Sequence, residues 1–139
     1  RRIRIRASDM STKALARARA ALYPMEKVHD LPLPVLRAHF EKGLGAQTGT
    51  ARVRAHVRQL VTFEQRNLLD PADLGQQFDA IFCRNVMIYF DQAVQQRVVS
   101  LLERHLRPGG HLFISHSESL SGITHGLQPT VPAVFRRKQ

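Results

Sequence analysis

Along residues 2–7, RIRIRA, basic and apolar side chains alternate, which predicts a strand that runs into a turn at Ser8 and Asp9. From Ser11 the stretch STKALARARAALY is rich in Ala and Leu and sets Lys13, Arg17 and Arg19 mostly on a solvated face, so a helix is expected. Pro24, Pro32 and Pro34 break regular structure before a short helix over VLRAHFEK. Residues 51–58, ARVRAHVR, alternate again, with Arg52, Arg54, His56 and Arg58 on one face and Ala51, Val53, Ala55 and Val57 on the other. That pattern predicts a half-buried antiparallel strand with a basic outer face. Residues 60–69, LVTFEQRNLL, read as a strand ending in a polar break, with a turn at Asp70-Pro71.

The pattern then changes. Phe78, Ala80, Ile81, Phe82 and Cys83 form an apolar run interrupted only by Asp79, which suits a parallel strand covered on both faces. Arg84 and Asn85 follow it directly, at the carboxyl end of the strand, where open α/β sheets bind ligands. Met87, Ile88, Tyr89 and Phe90 are apolar apart from one phenolic hydroxyl. Asp91 is placed to cap a helix over residues 91–105, whose Val94, Val98, Leu101 and Leu102 have core spacing. Arg107-Pro108-Gly109-Gly110 ends that helix, HLFIS is the next strand, and VPAVFRRKQ is a short closing strand with a basic tail.

With 139 residues the chain suffices for one domain or less. Its single cysteine, Cys83, excludes an internal disulfide, fits a reducing cytoplasm and reads as a small core residue. No apolar run approaches membrane-spanning length and RRIRIR lacks the apolar segment of a signal peptide, so a soluble, cytoplasmic chain without membrane insertion is expected. Twenty-one Lys and Arg against eleven Asp and Glu give a net charge of +10, which favours acidic partners. Nucleic acid is not expected among them, because aromatics are 6% and Trp is absent, leaving little for bases to stack on.

Several tempting sites are set aside. Residues 43–50, GLGAQTGT, lack the lysine-serine ending of a phosphate loop and a preceding strand, and read as a flexible hairpin. Ser117 and Glu118 have no nucleophile elbow around them, which disfavours hydrolase chemistry. His111 and His116 lack the spacing and the carboxylate or thiolate company of metal ligands. The residues alone leave the following readings for the remaining candidates. Asp9 either caps the next helix or accepts hydrogen bonds from ribose hydroxyls. Arg84 reads by itself as a structural ion pair with Asp79 or Asp91, and Tyr89 as a half-buried core aromatic. The arginines of residues 51–58 either form a solvated face that protects a sheet edge or contact a partner.

Four separated motifs in order, NLL at 67–69, CRNVMIYFD at 83–91, RPGGHLF at 107–113 and HSESL at 116–120, closely resemble the C-terminal domain of bacterial chemotaxis receptor methyltransferases, the CheR family. The similarity runs from ASDMS at 7–11 onward. It implies an α/β chain with a partial Rossmann-like methyltransferase fold and a small antiparallel β insertion at about 41–60, the whole of 1–139 being the C-terminal part of a catalytic domain. The implied activity is methylation of glutamate side chains on chemoreceptors, with S-adenosylmethionine as cofactor and S-adenosylhomocysteine as product. A non-catalytic module that binds a receptor tail or signalling partner is the alternative.

By the same resemblance Asp9, Asn67, Leu68, Asn85 and Val86 bind cofactor, with Asn67 and Leu68 at the adenine. Arg84 and Tyr89 are the catalytic candidates. Gly43, Gly45, Arg52 and Arg54 contact the C-terminal tail peptide of a receptor, captured as an added strand. No metal is implied. Family members carry glycine two residues before the tyrosine that matches Tyr23, and Ala21 at that position does not favour a left-handed helix cap. The chain starts at what should be the second strand, so the first strand, its glycine-rich loop and an N-terminal helical domain are expected to be missing. That loss is expected to leave a buried sheet edge unpaired unless a second chain completes it.

Overall fold

The computed structural model describes residues 2–139, which form two compact units, one through Asn67 and one from Leu68. The first unit runs β1 (Ile5–Asp9), α1 (Thr12–Ala20), β2 (Leu22–Pro24), α2 (Met25–Val28), α3 (Leu33–His39), β3 (Phe40–Lys42), β4 (Thr50–Val53), α4 (Ala55–Arg58) and β5 (Val61–Gln65). Strands β1 and β5 are parallel, in register from Ile5 opposite Val61 to Asp9 opposite Gln65. The alternation of residues 2–7 therefore becomes a strand only from Ile5, whose N–H reaches the Leu60 carbonyl at 2.8 Å, and it extends through Ser8 and Asp9 rather than turning there. A partner, not the pattern, sets its ends.

Ser11 caps α1 by accepting the Ala14 N–H at 3.1 Å. The helix closes on Ala21, which takes the left-handed conformation at φ 54 and donates its N–H to the Arg17 and Ala18 carbonyls. The absence of glycine does not prevent the cap, because Ala21 is 4% exposed and its surroundings hold it there.

Strands β2, β4 and β3 make a separate three-stranded antiparallel sheet with β4 in the middle. One of its strands comes from residues 22–24, ahead of the 41–60 stretch. The long strand expected over residues 51–58 is corrected: β4 stops at Val53 and residues 55–58 turn into α4. Its partners run out there. Val53 faces Phe40, the first residue of β3, and the chain beyond it satisfies its own amides as the Val57 and Arg58 N–H groups return to the Arg54 carbonyl. The helix expected over VLRAHFEK likewise starts earlier and gives way to β3 at Phe40.

The second unit runs β6 (Phe78–Phe82), α5 (Gln92–His105), β7 (Leu106–Phe113), β8 (Leu127–Pro129) and β9 (Val134–Arg137) in one sheet of order β6-β7-β9-β8. Only β6 and β7 are parallel. Asp91 caps α5 by accepting the Val94 N–H at 2.9 Å. Val98, Val99, Leu102, Leu106 and Leu112 are the centre of the core, each 3% exposed or less. Burying each such side chain contributes about 1.5–3 kcal/mol. The helix ends at His105 with Leu106 already extended, before the expected stop at Arg107 to Gly110, which belong to β7. There the chain passes so close to β6, at a bulge between Phe78 and Ala80, that a Cβ on Gly110 would stand 3.0 Å from the Asp79 carbonyl.

The expectation that residues 78–83 are covered on both faces is not met. Asp79, Ala80 and Phe82 are exposed, Phe82 at 70%, while its ring stacks on Phe113 with centroids 4.4 Å apart. Strand β6 pairs only with β7, and β1 only with β5, so each is an edge of its own sheet. Among the described residues no helix is long and apolar enough to cross a membrane.

Candidate active site

In the second unit the loop after β6 gathers four of the candidates. The Cys83 N–H still bonds the Phe113 carbonyl at 2.9 Å, then pairing ends and Arg84 emerges at the strand's carboxyl tip. Asn85 follows at φ 60, a left-handed conformation that asparagine tolerates better than most residues. Residues Met87–Tyr89 form one short 3-10 turn, anchored by Met87 at 2% exposure.

Two side chains pin this loop, one remote in sequence and one from the helix that follows it. One oxygen of Glu118 accepts the N–H groups of Asn85 (2.9 Å) and Ser115 (3.0 Å), and its other oxygen accepts that of Met87 (2.9 Å). From α5, Gln95 donates its amide to the carbonyls of Met87 (2.9 Å) and Phe90 (3.1 Å). Partial burial on its own would raise the Glu118 pKa. The backbone amides of Ser115, Asn85 and Met87 and the Ser115 hydroxyl outweigh it and hold the carboxyl below its usual range. Cys83 lies the other way: burial first, and the Glu118 charge second, push its thiol up to about 11.

Neither structural alternative for the two catalytic candidates holds. Asp79 takes Arg107 at 3.2 Å and Asp91 is spent on the α5 cap, so Arg84 makes no ion pair with them and stands exposed. Tyr89 is 80% exposed rather than half-buried. Arg84 borders a hollow of about 200 Å³ that Phe82, Phe113, His116 and Pro132 also line. A larger hollow of about 480 Å³ lies among residues 119–135 and contains none of the candidates. Val86 and Leu68 are partly buried and pack against the same core of this unit.

In the first unit Asp9 ends β1 and Asn67 follows β5 by two residues, so both leave the carboxyl ends of neighbouring parallel strands. The Arg66 N–H bonds the Asp9 carbonyl at 3.0 Å and continues the pairing up to Asn67. Asp9 Oδ1 accepts the Ser11 N–H at 2.8 Å. Asp9 thus braces the turn while Ser11 is the helix cap itself.

Gly43, Gly45, Arg52 and Arg54 fall elsewhere in that unit, in the β2-β4-β3 sheet and its connections. Only glycine fits at 43, where a Cβ would meet the Gln47 carbonyl oxygen at 1.9 Å, and Gly45 sits at φ 57. Arg52 is exposed on the central strand, and Arg54 bridges to α3 through its N–H on the His39 carbonyl at 2.8 Å. Among the described residues no group of three or more His, Cys, Asp or Glu side chains could hold a metal ion. Sequence reasoning missed Glu118 and Gln95 as organisers of the β6 loop. Glu118 stands 33 positions from Asn85, and its place beside Ser117 suggests only the partner of a nucleophile.

Residues 1–133 match the family model described as CheR methyltransferase, SAM binding domain. Chemotaxis protein methyltransferase 2 of Pseudomonas aeruginosa is 44% identical over 135 residues, 96% of this chain and 48% of that protein. The chemotaxis protein methyltransferase of Escherichia coli is 41% identical over 123 residues, 88% of this chain and 43% of that protein. The chain thus spans about half the length of the curated relatives it matches. Among solved structures, the N-methyltransferase NodS from Bradyrhizobium japonicum in complex with S-adenosyl-L-homocysteine is similar at a TM-score of 0.57 and 14% identity, over 98% of this chain and 67% of that one. The glycopeptide N-methyltransferase MtfA, complexed with S-adenosyl-L-methionine, gives 0.51 at 18% identity, over 97% of this chain and 49% of that one. At such identities the likeness shows a Rossmann-like methyltransferase fold.

Proposed function

The chain belongs to the CheR methyltransferase family, through that family's SAM-binding domain, and from that premise we propose that it methylates glutamate side chains of chemoreceptors. The reading rests on one observation above the others: an exposed arginine at the tip of β6 that, among the described residues, takes no acidic side chain as partner, beside an asparagine held in a left-handed turn. S-adenosylmethionine, when bound, supplies a methyl group on a sulfonium.

The residues present suit a nucleoside. Asp9 is an exposed carboxylate at a strand tip with acceptor capacity beyond its bond to Ser11, as vicinal ribose hydroxyls require. Asn67, exposed after the neighbouring strand, offers an amide that donates and accepts, and Leu68 an apolar side chain for the base. Asn85 and Val86 border the cofactor. A glutamate acceptor is already ionised at pH 7, so no strong general base is needed. Arg84 then orients the acceptor carboxylate and Tyr89 presents its hydroxyl to the reacting centre. Holding two reactants in line recovers about 7–11 kcal/mol of barrier.

The receptor's cytoplasmic domain is the proposed substrate, which places the reaction in the cytoplasm. Its C-terminal tail is proposed to add to the β2-β4-β3 sheet, whose edge strands are β2 and β3, with Gly43, Gly45, Arg52 and Arg54 as its proposed contacts. The test is transfer of labelled methyl groups from S-adenosylmethionine to a purified receptor cytoplasmic fragment by the full-length protein that carries this sequence. Label released as methanol by mild base, and lost with Arg84→Ala, is the expected result. Label that resists base, or none, overturns the reading.

A further inference from the structure

We propose that Glu118 is a positioning residue of this site, whose carboxylate fixes the shape of the loop bearing Arg84, Asn85 and Tyr89. The role rests on the methyltransferase reading above. One side chain here answers three backbone donors from two segments, Asn85 and Met87 after β6 and Ser115 after β7. The residue is itself held in place, because its own N–H donates to the Ser115 carbonyl at 3.0 Å while Ser115 N–H returns to its carboxylate. That reciprocal turn holds both oxygens towards the β6 loop.

The consequence for the loop is geometric. With φ 60 at Asn85 the chain reverses between Arg84 and Val86, so that the N–H groups of residues 85 and 87 reach the two oxygens of one carboxylate. Without that carboxylate the N–H groups of Asn85 and Met87 lose these acceptors, and the loop is left to the Gln95 bonds and the buried Met87 side chain, which act beyond Asn85. The Asn85 side chain and the Arg84 guanidinium would then sample several directions, and cofactor and acceptor would lose their common alignment. Ionised carboxylates accept such bonds more strongly than neutral groups. Glutamine, of equal length, keeps one acceptor oxygen and turns an NH₂ towards the amides that need the other. Alanine removes both acceptors.

The experiment uses the full-length protein that carries this sequence. Binding of S-adenosylhomocysteine by calorimetry and kcat with a receptor fragment are measured for wild type, Glu118→Gln, Glu118→Ala and a control, Glu103→Gln. Glu103 accepts the Gly126 N–H at 2.8 Å, a bond of the same kind remote from the β6 loop. Glu118→Gln is expected to weaken S-adenosylhomocysteine binding and lower kcat by about tenfold each, the scale of one lost charge-assisted bond, while Glu103→Gln keeps both. Amide resonances of Asn85 and Met87 should move in the Glu118 variants and not in Glu103→Gln. If Glu118→Gln lowers melting temperature as Glu103→Gln does but leaves binding and kcat within about twofold of wild type, Glu118 is structural only and the proposal fails. If Glu118→Ala does not fold, Glu118→Gln decides. A wild-type protein that neither binds S-adenosylhomocysteine nor transfers methyl groups overturns the methyltransferase reading itself, a result distinct from an active wild type beside an unaffected variant.

Discussion

The Arg107 guanidinium of β7 lies 3.2 Å from the Asp79 carboxylate of β6 and so occupies the acid that the sequence offered to Arg84. Of the two acids near Arg84 in the sequence, Asp79 goes to the arginine across the ladder, which the parallel pairing of β6 with β7 brings beside it.

Replacing the two arginines should therefore have opposite consequences. Arg107→Ala breaks an exposed pair worth about 0–1 kcal/mol and should leave methyl transfer intact. Arg84→Ala should change melting temperature little and reduce kcat/KM by about a hundredfold, the scale of a misplaced reactant. Equal loss of activity in both variants would remove Arg84 from its proposed role.

Asp91→Ala deletes the α5 cap bond to Val94 and should cost about 1 kcal/mol, with recovery of most of it in Asp91→Ser. Urea titration of the three proteins measures it.

Ala21 closes α1 at φ 54, where a Cβ is disfavoured by about 1–2 kcal/mol. Ala21→Gly should stabilise by about 0.5–1 kcal/mol, the remainder being lost with a buried methyl and with greater freedom of the unfolded chain. A lower denaturation midpoint for the glycine variant would show that the buried methyl outweighs backbone strain.

Cys83 is 5% exposed and its thiol is held up to about 11. Thiolate is the reactive form, so alkylation at pH 8 should be slow in native protein and rapid in denaturant. Quenched mass spectrometry gives both rates.

The pH dependence of the β6 loop follows from Glu118. Its folded pKa lies below the ordinary value of 4.5, so its contribution to stability is fully present above 4.5 and is lost as pH falls through the lower folded value. Amide exchange protection at Asn85 and Met87 should therefore decline only in that acid range. In Glu118→Gln the protection should be lower throughout and should lack that acid step.

The sequence by itself determined the local devices. Asp91 caps the helix it precedes because a short acceptor before an apolar periodic run is a self-contained signal, whereas the cap of α1 falls on Ser11 rather than Asp9. The strand tip at Arg84 and Asn85 and the core stripe of α5 were legible for the same reason, each depending on residues within a few positions, while the short elements β2, α2, α4 and β8 were not. Tertiary structure decided what needs a distant partner. The alternation of residues 51–58 would suit a strand throughout, yet it is one only to Val53, because β2 and β3 offer no ladder beyond. The apolar run at β6 implied cover on both faces, but cover is a property of neighbours, and Phe82 has little. Glu118 carries no mark in HSESL of the three amides it accepts, since two of those donors lie about thirty residues earlier and meet it only when β6 pairs beside β7.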